Sequence, residues 1–139
     1  MSPHEDNVFD KIIRREIPAE IVYEDEDTLA FFSINPNNPG HTLVIPKKSV
    51  RNIFDMDEAT LMSVAKTVKK VAIAVKDATD AQGINIAMNN EPEAGQVVFH
   101  AHVHVIPRFE NDGFKHFPQG EYDAEKSALI ADKIRAQLK

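Results

Sequence analysis

The sequence predicts an α+β fold: a five-stranded, mainly antiparallel sheet with helices packed on it. Three observations carry that expectation. Five short runs of strand-forming residues are separated by turns rich in Asn, Pro, Gly or Asp. Residues 58–78 and 123–138 place apolar side chains at helical spacing. No repeat, low-complexity tract or linker divides the 139 residues, a length that suits one domain with its own core.

Taken in order, residues 1–6 read as a loose polar tail. Residues 7–16 carry Val8, Phe9, Ile12 and Ile13 at helical spacing, with Asn7 as candidate N-cap and Pro18 as the stop. Residues 21–24 and 28–33 form two strands joined by the acidic turn Asp25-Glu26-Asp27. A loop at 35–40 leads to a third strand at 41–46, followed by the basic residues Lys47, Lys48 and Arg51, read as a solvated turn. The long helix carries Leu61, Val64, Ala65, Val68, Val71, Ala72 and Val75 along one stripe, and starts at Asp55 or Asp57. A fourth strand is expected at 84–89, a loop at 90–96 and a fifth strand around the histidines at 100–104. Residues 107–120 are irregular, and the terminal helix carries Ala124, Ala128, Ala131, Ile134 and Leu138 on one side.

Composition excludes several classes. A net charge of -6 argues against a nucleic-acid partner, because such domains carry a basic stripe. The absence of cysteine rules out disulfides and thiolate zinc sites, and no apolar run approaches membrane-spanning length. A soluble, cytoplasmic protein is the expectation.

The most informative segment is His100-Ala101-His102-Val103-His104. A strand has a side-chain period of two, so this spacing sets three imidazoles on one face and Ala101 and Val103 on the other. Three readings compete. One is a half-exposed strand whose polar face happens to be histidine. Another is a metal site, since His-x-His is a familiar ligand spacing; but i and i+4 lie roughly 13 Å apart along a strand, so at most two of the three share an ion. Help would then have to come from His41, Glu91 or Glu93. The third is nucleophilic catalysis on phosphorus: a neutral imidazole attacks, a neighbour assists the leaving group, and one hard displacement becomes two easier ones. The preceding Glu93-Ala94-Gly95-Gln96 supplies an anion-binding loop, with Gly95 allowing close backbone approach.

The stretch Gly95-Gln96-Val97-Val98-Phe99-His100-Ala101-His102-Val103-His104-Val105 resembles the signature of the histidine-triad (HIT) family. Residues 8–19 and 39–48 are similar to the Hint branch of that family, and residues 108–114 with the final helix resemble its bacterial members. The resemblance implies a HIT-like fold over 1–139 as one domain, with 107–139 as a C-terminal extension. It also implies a homodimer and nucleotidyl hydrolase or transferase activity on purine nucleotides: phosphoramidates, acyl-adenylates or dinucleoside polyphosphates.

On matching positions, His102 would be the nucleophile that carries the nucleotidyl group and His104 would contact phosphate and leaving group. His100 and His41 would brace the array from behind, and Asn89 would face the phosphate side. Val8, Phe9, Ile12, Phe31, Ile34 and Leu43 match the apolar cleft that holds the base, although Phe9, Ile12, Phe31 and Leu43 equally suit plain core positions. Gly95, Gln96 and Val97 are assigned to the substrate as well, while Asn89 could instead cap its loop. His4 and His116 read as surface residues.

Three departures stand out. Ser33 replaces the acidic or amide residue that grips the ribose, Val97 replaces a hydroxyl residue before the triad, and the N-terminal cysteine pair that binds zinc in many relatives is missing. No cofactor is therefore expected, a structural zinc least of all, although a divalent cation could accompany polyphosphate substrates. The rival reading is a nucleotide-binding regulatory module with little turnover, and a metal-binding protein is the third.

Overall fold

The structure, a computed structural model, describes residues 6–138, so residues 1–5 of the expected tail, with His4, lie outside it. The first helix, α1 (Val8–Ile13), is started by a reciprocal cap. Asn7 Oδ1 accepts the N–H groups of Phe9 and Asp10, while Asp10 Oδ2 accepts the N–H of Asn7. It is shorter than the expected 7–16. Arg15 adopts a left-handed conformation (φ 62°) that turns the chain well before Pro18.

The strands β1 (Ile21–Glu24) and β2 (Thr28–Phe32) form a hairpin whose turn is fixed by Asp25, which accepts the N–H groups of Asp27 and Thr28. β3 (Thr42–Pro46) follows, then α2 (Glu58–Thr79), capped by Asp57 through the N–H of Thr60. Asp55, the other candidate, accepts the N–H groups of Arg51 and Asn52 instead. β4 (Gly83–Ala87) ends two residues before the expected 89, a short 3₁₀ turn spans Pro92–Ala94, and β5 is Val103–Arg108. The sheet order is β1-β2-β3-β5-β4, antiparallel throughout.

Strand alternation gives the sheet two apolar faces. Ala30, Val44, Val103 and Val105 meet Val64, Val68, Val71 and Val75 of α2, each buried valine contributing about 2 kcal/mol. Leu29, Phe31, Leu43 and Ile45 point the other way, onto Phe9 and Ile12 of α1. Gly40 (φ 99°) leads into β3 where the end of α2 comes close: a Cβ there would sit 2.8 Å from Thr79 Cγ2.

The last helix, α3 (Ala124–Gln137), buries none of its residues. Its apolar stripe is periodic as expected but has no core to enter. No helix among the described residues is long and apolar enough to cross a membrane.

Candidate active site

The triad sits where β5 begins, not along its length. The expected strand through residues 100–104 starts only at Val103, because Ala101 donates its N–H to Val50 O (2.8 Å) and not to a ladder partner. Alternation nevertheless survives in the extended chain. Ala101 is buried and Val103 packs on the α2 side, while His104 stands opposite Leu43 in the register of β3 and β5, on the α1 side. His100 does not join its neighbours at the surface. It is fully buried, with Nε2 donating to Pro46 O (2.8 Å) and Nδ1 3.2 Å from the Asp10 carboxylate. Two of the three rings, His102 and His104, therefore reach the cleft.

Backbone contacts assign the tautomers. His102 Nδ1 lies 2.7 Å from His100 O, and a carbonyl only accepts, so Nδ1 carries the proton and Nε2 keeps its lone pair. The N–H of Asn37 donates to His41 Nδ1 (3.1 Å), so His41 holds its proton on Nε2 and donates it to His104 Nδ1 (2.9 Å). A neutral His104 then presents Nε2–H. Its ring centroid is 5.1 Å from those of both His102 and His41, and Phe9 meets His102 edge-on at 5.1 Å.

Electrostatics keep these rings uncharged. Burial, reinforced by His102 and His41 nearby, pushes His104 down to about 4. Burial also lowers His102, with the His100 carbonyl pulling the other way and the His100 ring adding to the fall, and burial alone lowers His41. At neutral pH the cluster offers a lone pair beside a proton donor, without a fixed charge.

These rings open onto a cleft of about 490 Å³. Phe9, Ile12, Phe31 and Leu43 are buried and form its apolar inner wall. Ile34 and Val97 stand at the mouth, 91% and 82% exposed, so neither is part of a closed pocket. Val8 and Ser33 line it too, and Ser33 Oγ accepts the N–H of Asn35 (3.2 Å). Asn89 and Gly95 lie against each other on the opposite wall: a Cβ on Gly95 would be 3.5 Å from Asn89 Nδ2. Among the described residues that line the cleft there is no Lys, Arg, Asp or Glu.

Gln96, assigned to the substrate, is turned away. It is buried against Asn52, Glu91, Arg51 O and Val98 O, where it shapes the loop. Lys47 and Lys48 pair with Glu24 and Asp57 away from the cleft, and His116 is exposed elsewhere. Asn37 and Asp10 escaped sequence reasoning. Asn37 acts through its backbone N–H, which any residue but proline supplies, and Asp10 looks like an ordinary helix-cap residue. No group of three His, Cys, Asp or Glu among the described residues is arranged to hold a metal ion.

Comparison with known proteins agrees with this arrangement. A family model described as the HIT domain matches residues 14–111. An uncharacterised HIT-like protein of Methanocaldococcus jannaschii is 50% identical over 106 residues, 76% of this chain and 81% of its own. An adenylylsulfatase of Arabidopsis thaliana is 38% identical over 107 residues, 77% of this chain and 54% of its own. A crystal structure of a Streptococcus mutans protein superposes with a TM-score of 0.92 at 44% identity, covering 98% of this chain and 87% of that one. With an HxHxH segment leading into the interior strand β5 of a five-stranded sheet and these relatives, the chain belongs to the histidine-triad (HIT) family.

Proposed function

We propose that the protein is a nucleotidyl hydrolase that cleaves purine nucleoside phosphoramidates or acyl-adenylates at the α-phosphorus through His102. The observation that carries the reading is the tautomer chain: His102 offers a lone pair at Nε2 while His104, set by His41, offers Nε2–H beside it. The base packs on the wall of Phe9, Ile12, Phe31 and Leu43. His102 Nε2 bonds to phosphorus as the bond to the leaving group breaks, giving a nucleotidyl-imidazolium whose Nδ1–H stays on the His100 carbonyl. His104 donates a hydrogen bond to the charge that develops on the leaving group; a phosphoramidate's amine leaves with a proton drawn from water, and an acyl-adenylate's carboxylate leaves as the anion. Water then attacks the same phosphorus and frees the nucleotide, and the proton it gives up neutralises the hydroxide left by the amine or passes to solvent.

A cleft without Lys or Arg favours a substrate with one phosphate over dinucleoside polyphosphates, whose extra charges would find no partner. The adenylylsulfatase among the relatives also acts, by its name, on an adenylyl compound. No step needs a cofactor. A homodimer remains part of the proposal through the family.

The test is turnover of an adenosine phosphoramidate by the wild type and His102→Ala. Equal rates would overturn the proposal. A second reading, nucleotide binding with little turnover, draws on Ser33 and Val97, which leave ribose and phosphate with fewer side-chain partners. Rapid-mix trapping separates the two, because a pure binder accumulates no nucleotidylated histidine.

A further inference from the structure

Backbone strain in the loop facing the triad is concentrated at one residue. Glu91 has φ 82° and ψ 156°, a region glycine occupies freely and an L side chain rarely does. Asp80 also has positive φ, but in the left-handed helical well that ends α2. Such a conformation persists only where its surroundings over-determine it, and here they do. Arg51 grips the Glu91 carboxylate with two bonds (2.8 and 2.9 Å), and Asn52 Nδ2 adds a third (2.6 Å). The strained N–H of Glu91 is taken by Gln96 Oε1 (2.9 Å), whose amide in turn donates to Arg51 O and Val98 O. The Arg51 guanidinium also lies 4.4 Å over the Phe99 ring.

The segment around Arg51 holds this loop at further points. Ile53 donates its N–H to Asn90 Oδ1 (2.9 Å), and Val50 O accepts the N–H of Ala101 (2.8 Å). Gly95 and Val97 lie between these grips and Asn89 just before the first, and all three line the cleft together with His102 and His104. Side chains of Arg51 and Glu91 are 43% and 38% exposed, a setting in which an ion pair adds little to stability. Its two-point geometry instead fixes orientation.

We infer that Arg51 and Glu91 are positioning residues: their ion pair holds residues 89–97 in the strained register that presents Asn89 and the backbone at Gly95 to the substrate's phosphate. The inference rests on the cleft being a nucleotide site. It assigns a role to two residues that touch neither the cleft nor the triad.

The experiment compares wild type with Arg51→Met, Arg51→Lys and Glu91→Gly in turnover of an adenosine phosphoramidate, in calorimetric binding of AMP and of adenosine, and in thermal unfolding. Arg51→Met is expected to lower kcat by about 10²-fold, the scale of a small misplacement at the reacting centre. AMP should bind about tenfold more weakly while adenosine binding stays unchanged, because only the phosphate meets the loop. Arg51→Lys keeps the charge without the fork and recovers part of the loss. Glu91→Gly relieves the backbone strain, so it folds as well as wild type and still loses AMP affinity.

Equal losses for AMP and adenosine, or unchanged AMP affinity in Glu91→Gly, would overturn the inference. Should the wild type bind AMP without turning over the phosphoramidate, the hydrolase reading fails alone and the AMP-to-adenosine difference still decides the role of the pair. Should it bind neither, both fall.

Discussion

On one face of the sheet, Ala30, Val44, Val103 and Val105 meet the 22-residue α2; on the other, Leu29, Phe31, Leu43 and Ile45 meet the six-residue α1 and the half-buried Ile17, Ala19 and Val98. The long helix closes its face with interlocking valines. The short one covers part of its face and leaves a cleft of about 490 Å³ where its cover ends. Along β5 the same alternation that sends Val103 and Val105 to α2 sends His104 into that gap, opposite Leu43. Residues on the half-covered face thus carry two demands: Phe9 and Leu43 complete a core and also wall a binding site. Those on the covered face carry one.

Removing the proposed nucleophile should separate the faces most sharply. His102→Ala is expected to lose about four or more orders of magnitude in kcat for an adenosine phosphoramidate, with the fold retained. Next comes His41→Ala. It leaves His104 free to hold its proton on either nitrogen, and a loss of about 10²-fold in kcat is expected, the low end of what one oriented hydrogen-bond donor to developing charge contributes. An unchanged rate would mean that the Asn37–His41–His104 chain does not set the tautomer that matters.

Adjacent residues of β3 give the cleanest internal control. Val44→Ala opens a void under α2 and should cost about 2 kcal/mol of stability by denaturant unfolding, with nucleotide affinity unchanged. Leu43→Ala faces the cleft, so it should lose both stability and affinity. A loss of affinity in Val44→Ala as large as in Leu43→Ala would erase the distinction between the faces.

The covered face was easy to read and the other was not, for a physical reason. Packing against α2 repeats one residue type at helical and strand spacing, so Val64, Val68, Val71 and Val75 announce themselves. Similarly, the family of the chain is written in His100, His102 and His104. What alternation could not say is that His100 turns inward to Pro46 O and Asp10, because that depends on two segments, about 50 and about 90 residues earlier. The late start of β5 at Val103 has the same origin: Val50 O captures the N–H of Ala101. Gln96 read as a substrate residue because it follows Gly95 in the loop read as anion-binding, yet its amide is consumed by Arg51, Asn52 and Glu91. Long-range polar contacts leave no period in a sequence.

Mild acid should act first on the half-covered face, before the paired carboxylates elsewhere begin to protonate. His102, His104 and His41 all have lowered pKa values in the folded protein, His104 falling to about 4 against an ordinary 6.5. Between those values the unfolded chain binds more protons than the folded one, so stability is full above about pH 6.5 and falls as pH drops from there toward 4. Turnover should hold at neutral pH and fall only below the ordinary imidazole range, as the lone pair of His102, whose pKa burial lowers, is protonated. His104→Gln should flatten the stability profile between pH 4 and 6.5. A profile with the same slope in that variant would show that His104 is not one of the groups responsible.

The smallest effect is expected from α3. Its residues are all unburied, and Leu129, Ile130 and Ile134 remain exposed despite their helical spacing. Deleting residues 121–139 removes no part of either face, so the unfolding free energy should stay within about 0.5 kcal/mol, the range of surface changes. A larger loss that grows with dilution of the protein would show that a second copy covers the α3 stripe, since stability drawn from association depends on concentration. The contrast with α2 would then be one of location: both helices would bury their apolar stripes, α2 within its own chain and α3 on another.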